Sequence, residues 1–480
     1  MADYIKFIQR IGLVGITNIV ISLSSLIFIP VITKSFTTAE YGMWAQVNTT
    51  IALVPNIANL GLPFTMVRFL SAEHDKARIR ESFYPMMSVT LISTLIICGL
   101  FILFGGPIAD ALFNGSMQVL YITTAISFFA CLNLMLISYF RTFQQMKRYS
   151  LFLVLQSYIG VFVSIYLTYA GYNIETVVLG LLTGYVSVFI MMAFIIVRYL
   201  GFGPVKWSNL KEQLDFAIPT IPSNVSSWVV DSSDKYVIGI IAGSVAVGCY
   251  SPGYALGSIL LMFLSPFAVL LPAVLPEHYE KGEMDQVDTY LGYSMKYYLL
   301  LTVPAAVGMS VLSKPLLYVI TTPEIALGGY MITPFVCLGA LFMGMYGITN
   351  NILILEKNTR VLGKLWIIVA VANIALNILM VPYLGILGAA LATLFCYVLA
   401  FVVTAHESKK TMRLPFNMKE VLKISVSSII MGAVVYMMNA NDILSILIAV
   451  AVGVIVYFAC IFLFKGISKK EIEIFKGLIQ

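Results

Sequence analysis

The sequence predicts an all-α integral membrane protein of about 14 transmembrane helices, built as two six-helix lobes in parallel pseudo-repeat plus two C-terminal helices. Three observations predict it. Of 480 residues, 60% are hydrophobic and only 11% are charged, against roughly 25% charged in an ordinary soluble domain. Apolar runs of about 20 residues, enough to cross a ~30 Å hydrocarbon core as a helix, recur along the whole chain. Finally, the basic residues alternate in density from one loop to the next.

Loop signals divide the chain into spans at 11–33, 42–67, 83–105, 117–140, 150–170, 175–199, 215–241, 246–275, 293–313, 331–355, 361–381, 385–405, 420–438 and 443–464. An even number puts both termini on one side. With that side cytoplasmic, 26 of the 29 Lys and Arg residues lie in inner segments; Lys34 and Lys314 are outside, and Lys235 is within a span. Basic residues on short loops are retained on the cytoplasmic side during insertion, so the asymmetry supports count and orientation together. The expectation is a multi-pass protein of the cell membrane with both termini cytoplasmic. The first span is too long for a signal-peptide core and has no small-residue cleavage site, so it reads as uncleaved.

The outer segments are short, the longest running from about Lys314 to Tyr330, and leave no room for an outer catalytic domain. Six cysteines fall in separate apolar runs, which suggests neither a metal site nor a disulfide framework. His74, His278 and His406 sit in polar inner segments. No constellation supports catalysis, and no cofactor is expected. The net charge of +6 sorts by topology and gives no reason to expect nucleic acid.

The lobes are expected at 1–203 and 215–412, joined by an interfacial linker at 204–214 and followed by 413–480, two further helices and a cytoplasmic tail. A weak repeat links them. AEYGMW enters the second span and VAVGCY the eighth, with Gly42 and Gly248 206 residues apart; Glu73-His74 and Glu277-His278 are 204 apart. Six helices per repeat keep both halves in one orientation, which places a substrate path between them. PVKWSNLKEQLDF, with Trp207, Leu210 and Leu214 along one side, reads as a short helix lying in the membrane interface.

The seventh span carries charge. Thr220, Asn224, Ser227, Asp231 and Asp234 recur at helical spacing as one stripe, with Lys235 on its edge. A charge at the helix centre costs roughly 2.5–3.5 kcal/mol, while an exposed Asp–Lys pair one turn apart returns only about 0.2–0.5 kcal/mol. Two acids and one base therefore call for a wet cavity or for partners on other helices; a structural salt bridge between helices is the competing reading. Uncharged stripes mark other spans: Asn18, Ser22 and Ser25; Gln46, Thr49, Asn56 and Asn59; Ser251, Tyr254, Ser258 and Ser265. Such residues either line a cavity or serve helix packing. Pro30, Pro55, Pro63, Pro219, Pro222, Pro266 and Pro272 fall in these same helices and can bend them.

Three stretches carry a resemblance: Phe36 to Glu73, Ser232 to Gly257, and Leu355 to Leu394 with its N-x-x-x-N-x-x-x-x-P-x-x-G-x-x-G-A-A pattern. In them the chain resembles the polysaccharide or oligosaccharide flippase branch of the multidrug/oligosaccharidyl-lipid/polysaccharide exporter superfamily. The resemblance implies two six-helix lobes facing across a V-shaped cavity, alternating access, and a polyprenyl phosphate- or diphosphate-linked oligosaccharide moved from the cytoplasmic to the outer leaflet. It implies a transporter and no enzyme, working among membrane lipids, with a coupling proton or sodium and with glycan polymerase or glycosyltransferases as partners. Asp234 and Lys235 fall where such proteins often show an acid and a base, and Arg68 matches the basic residue closing the second helix. An anionic headgroup calls for cations, so either Arg68 and Arg141 receive the phosphate, or Asp231 and Asp234 handle a coupling ion. The alternatives are a cation-coupled multidrug exporter of the same superfamily, whose first span often bears a carboxylate that is missing here, and a membrane enzyme acting on lipid-linked sugars.

Overall fold

Caps and apolar length together set the helices. The computed structural model describes residues 2–201, 207, 210–412 and 417–466. In chain order it forms α1 (Ala2–Ser35), α2 (Thr38–Ala58), α3 (Leu62–Leu70), α4 (Lys76–Leu103), α5 (Gly105–Leu112), α6 (Met117–Thr142), α7 (Met146–Tyr169), α8 (Ile174–Leu200), α9 (Leu210–Ala217), α10 (Ile221–Ser258), α11 (Ser265–Glu280), α12 (Met284–Ile320), α13 (Pro323–Gly329), α14 (Ile332–Leu355), α15 (Thr359–Leu384), α16 (Ile386–Ser408), α17 (Met418–Met437) and α18 (Ile443–Leu463). Starts follow side-chain chemistry. Thr37 and Glu40 form a reciprocal capping box at α2, Asp75 caps α4, Ser116 caps α6, and Asn173 caps α8, each satisfying backbone N–H groups that have no partner within the helix.

Among the described residues twelve runs are long and apolar enough to cross a membrane, or thirteen when the bent pair α2–α3 counts as one. The longest, 57 residues from Asn224 to Glu280, would measure about 85 Å as a straight helix, nearly three hydrocarbon thicknesses. It is interrupted at Gly243, with φ 81° and ψ 171°. A Cβ on Gly239 would sit 3.5 Å from a methyl of Val247, whereas residues eight apart on a straight helix are separated by ~12 Å. The chain therefore doubles back at Gly243, whose left-handed φ suits glycine, and the run supplies two crossings. The total of fourteen agrees with the sequence.

Two spans depart from a simple rod. The stretch expected as one helix over 42–67 is α2 plus α3, bent by 52°. Pro55 removes a backbone hydrogen bond just before the break, and Leu60 and Gly61 turn the chain with φ of 50° and 76°. In the eighth span, α10 passes through a 3-10 stretch, Ile259–Leu264, before α11 restarts ahead of Pro266. The connections from α4 to α6 and from α12 to α14 fold into the short helices α5 and α13.

Contacts divide the chain into two compact units, Met1–Gly248 and Cys249–Gln480. In the first, α6 is the packed centre; in the second, α14 is. Their apolar windows are 72% and 67% buried, and no other span exceeds 50%. Each is the fourth crossing of its set of six, which gives the repeat a packing basis. The first core joins Leu62 and Met66 of α3 to Phe83, Met135, Phe140 and Met192. Lipid tails are as apolar as leucine, so polar ties and close packing hold such helices together, with interhelical hydrogen bonds contributing about 0.6 kcal/mol on average. Asn133 Nδ2 donates to Gln156 Oε1 and to the Tyr185 carbonyl, both at 2.9 Å, tying α6 to α7 and α8. In the second unit, α17 and α18 lean on α12: Lys296 pairs with Glu420 at 3.3 Å, and the Tyr457 hydroxyl donates to the Leu300 carbonyl at 2.8 Å.

The linker forms α9, whose Leu214 joins the first core and whose neighbour Phe216 meets Phe69 edge-on at 5.8 Å. The rest of the expected linker helix (202–206, 208–209), residues 413–416 and the tail from 467 lie outside the described residues.

Candidate functional site

The charged helix packs on α2 along its length. At one end a Cβ on Gly61 would meet Thr220 Oγ1 and the Ala217 carbonyl. Midway, Gln46 Nε2 donates to the Lys235 carbonyl at 2.7 Å, and the Thr50 hydroxyl meets the Tyr236 hydroxyl at 2.7 Å. At the far end, a Cβ on Gly42 would fall on the Ser244 carbonyl, and one on Gly248 would fall on the Thr38 carbonyl. This last contact is reciprocal: each glycine touches the residue four before its repeat partner. That is the signature of a self-complementary, pseudo-two-fold crossing. The residues facing α10 are thus Gly42, Gln46 and Thr50; of the stripe read from sequence, Gln46 is among them, while the Thr49 hydroxyl donates to the Ala45 carbonyl on its own helix.

Within this frame Asp234 is fully buried, and its Oδ1 accepts from the Lys235 backbone N–H at 2.8 Å. Asp231, Lys235, Asn224 and Ser227 are half-buried on the same helix. Trp228, missed by the sequence stripe, packs its ring 5.6 Å from Tyr236, and its buried indole N–H has no acceptor among the described residues. The polar groups elsewhere are more dispersed. Asn18 and Ser22 are exposed on α1, Ser22 Oγ donating to the Asn18 carbonyl at 2.9 Å. Asn56 Nδ2 donates to Ala52 of its own helix. Tyr254, in the second unit, is half-buried with its ring 5.5 Å from Tyr250. Asn59, expected in the α2 stripe, is buried with Nδ2 donating to the Cys131 carbonyl on α6 at 3.2 Å, a packing role.

Phe64 and Arg68 are one turn apart on α3, and the Arg141 guanidinium, from the end of α6, lies 5.8 Å from the centre of the Phe64 ring, within cation–π range. Arg68 is exposed and Arg141 half-buried. The buried Nε of Arg141 has no acceptor, and among the described residues neither guanidinium has a carboxylate partner. A planar fork without a carboxylate is the group best suited to a phosphate.

A second polar centre, hidden in the N-x-x-x-N motif, lies on α15. Asn377 Nδ2 donates to the Asn373 carbonyl at 2.9 Å and to Asn373 Oδ1 at 3.1 Å. Asn377 Oδ1 and Thr393 Oγ1 are buried with no partner among the described residues. Such oxygens need a water or a hard ion to satisfy them. Among the described residues no group of three His, Cys, Asp or Glu could hold a metal.

A profile of the family described as polysaccharide biosynthesis protein matches residues 7–275, more than half of the chain. The chain belongs to the polysaccharide biosynthesis protein family. The MatE profile matches residues 219–379 of this family member. Among curated relatives it is 22% identical over 279 residues to the probable low-salt glycan biosynthesis flippase Agl15 of Haloferax volcanii. It is 28% identical over 175 residues to the lipid II flippase MurJ of Thermosipho africanus. These alignments take in 57% and 35% of this chain, and they span 58% and 36% of those two proteins. In fold, this polysaccharide biosynthesis protein is similar to lipid II flippase MurJ in an inward closed conformation, with TM-score 0.77, 20% identity, and 98% and 100% of the two chains covered. It is less similar to an inward-facing multidrug resistance MATE family transporter, with TM-score 0.62, 16% identity, and 82% and 96% covered. The resemblance read from the three sequence stretches is thereby borne out.

Proposed function

We propose that this protein is a flippase that moves a polyprenyl (di)phosphate-linked oligosaccharide from the cytoplasmic to the outer leaflet by alternating access, for cell-surface polysaccharide or glycan synthesis. The observation that carries the reading is the pair Arg68 and Arg141, two guanidinium groups without carboxylate partners among the described residues, near helix ends that the basic-residue asymmetry assigns to the cytoplasm. It receives the phosphate. Asn18, Ser22, Asn56, Asn224, Ser227 and Tyr254 offer hydroxyls and amides to the glycan, while the lipid tail stays in the bilayer. Asp231, Asp234 and Lys235 take the coupling proton or sodium. The six-helix lobes, 1–203 and 215–412, do the moving, the linker 204–214 and the segment 413–480 attend them, and the chain sits in the cell membrane with both termini cytoplasmic. Glycan polymerase or glycosyltransferases act before and after it; the chain itself performs no chemistry. Similarity to a probable glycan biosynthesis flippase and to a lipid II flippase supports this reading. The alternative, a cation-coupled drug exporter, draws on the MatE match.

Two measurements test it. Arg68→Ala and Arg141→Ala should each weaken capture of a phosphate-bearing glycolipid about tenfold, since charge-assisted hydrogen bonds are roughly twice as strong as neutral ones; unaltered capture in the double variant removes the pair from the mechanism. Single cysteines at Glu40 and Lys410 should react with impermeant probes from opposite sides of the membrane. Labelling of both from outside contradicts the orientation.

A further inference from the structure

At the end of the second unit that the basic-residue distribution assigns to the outside, α12, Tyr330 and the end of α17 with the turn after it line an open chamber of about 1070 Å³. Lys314 stands in its wall with Ser310, Tyr318, Tyr330, Tyr436 and Asn441. It is one of two basic residues expected in outer segments. Its ammonium lies 5.7 Å from the centre of the Tyr330 ring, and among the described residues it has no carboxylate partner. No acid lines the chamber. Asp442, next in sequence to Asn441, is committed as the cap of α18, accepting from the Leu444 and Ser445 N–H groups and from Ser445 Oγ.

An apolar groove of about 330 Å³ continues from this chamber between α12, α17 and α18, sharing Leu312 and Val435 with it. Its walls include Leu300, Pro304, Gly308, Met431, Gly453 and Tyr457, and no charged side chain. A cationic mouth with hydroxyl and amide groups that opens into a hydrocarbon-lined groove complements a chain-bearing amphiphile with a negative headgroup. At ~30 Å³ for a water-sized group, the groove holds about eleven such groups, most of one acyl chain and a small part of a polyprenyl chain.

We infer that this is a binding site for an anionic glycerophospholipid, with its phosphate at Lys314 and one acyl chain in the groove. The site is separate from the transport residues above. Its chemistry does not depend on the proposed transport; only its assignment to the outer leaflet rests on the orientation given under Proposed function.

The full-length protein in detergent is titrated with phosphatidylglycerol or phosphatidylcholine of equal chain length, and bound lipid is counted by native mass spectrometry. One phosphatidylglycerol should be retained in preference to phosphatidylcholine, and Lys314→Ala should weaken it about fivefold, the factor expected for one basic residue at a membrane surface. Lys314→Arg should restore it. Gly308→Leu, where an added Cβ meets only the end of the flexible Met431 side chain at 3.7 Å, should fill the groove and weaken both lipids. Equal retention of the two headgroups by the unaltered protein, or unchanged retention by Lys314→Ala, overturns the site. Displacement by equimolar polyprenyl phosphate also overturns it, by making the groove part of the substrate path. If lipid selectivity persists but Lys314→Cys reacts only from the inner side, the outer-leaflet assignment falls together with the orientation.

Discussion

Replacing Gly42 by leucine is expected to lower flipping at least fivefold, and Gly248→Leu should do the same. Each added Cβ lands on a backbone carbonyl, Ser244 for Gly42 and Thr38 for Gly248, so no side-chain rotation relieves the clash and the two helix ends must separate. Overpacking of this kind costs about 1–3 kcal/mol. In a protein that alternates between states, that cost falls on whichever state contains the crossing, and at 1.4 kcal/mol per tenfold it depopulates that state by roughly fivefold to more than a hundredfold. Gly42→Ala should act in the same direction with smaller effect. Gly99, with nothing within 4 Å, is the control: Gly99→Leu should leave flipping and thermal unfolding unchanged. Normal flipping and an unchanged melting temperature in Gly42→Leu would show that the crossing is dispensable.

The second large effect is expected at Asp234. A fully buried carboxylate in a membrane helix is costly. Asp234→Asn keeps an oxygen for the Lys235 N–H while removing the charge, so it should fold and retain most of its thermal stability. Flipping should fall at least tenfold and lose any dependence on an imposed proton or sodium gradient. Asp234→Leu, which removes the acceptor as well, should lower the melting temperature too. Lys235→Ala should also lower flipping. Unchanged transport in both Asp234→Asn and Lys235→Ala returns the cluster to a structural tie between helices.

Much of the fold was legible because it follows from one-dimensional signals. Apolar length and alternating basic loops gave fourteen crossings, including the two hidden in the 57-residue run from Asn224 to Glu280. The bend at Leu60–Gly61 was foreshadowed by Pro55 and Pro63, but its position depends on two left-handed residues, and Leu60 carries no sequence signal for that conformation. The site was legible in parts. Gly42 and Gly248 stood out as a repeat, yet their purpose depends on which helix lies opposite, a non-local fact. For the same reason the Thr50 contact with Tyr236 was not foreseen: Thr49 and Thr50 both lie on polar stripes, and only the neighbour's position separates them. Arg68 and Arg141 were candidates as isolated cations; the Phe64 ring beside Arg141 has no polar signature. Asn377 and Thr393 were read as part of a family motif and not as buried oxygens, because burial in a membrane helix depends on what covers it.

The central claim is tested most directly by flipping in reconstituted vesicles. A polyprenyl diphosphate-linked oligosaccharide is placed in one leaflet, and its exposure to an enzyme added outside is followed with and without an imposed proton or sodium gradient. The account predicts protein-dependent exposure of the glycan that is reduced in Arg68→Ala, Arg141→Ala and Asp234→Asn. No exposure with several glycan lipids, together with gradient-driven uptake of a cationic dye by the same vesicles, would contradict it and identify a drug exporter.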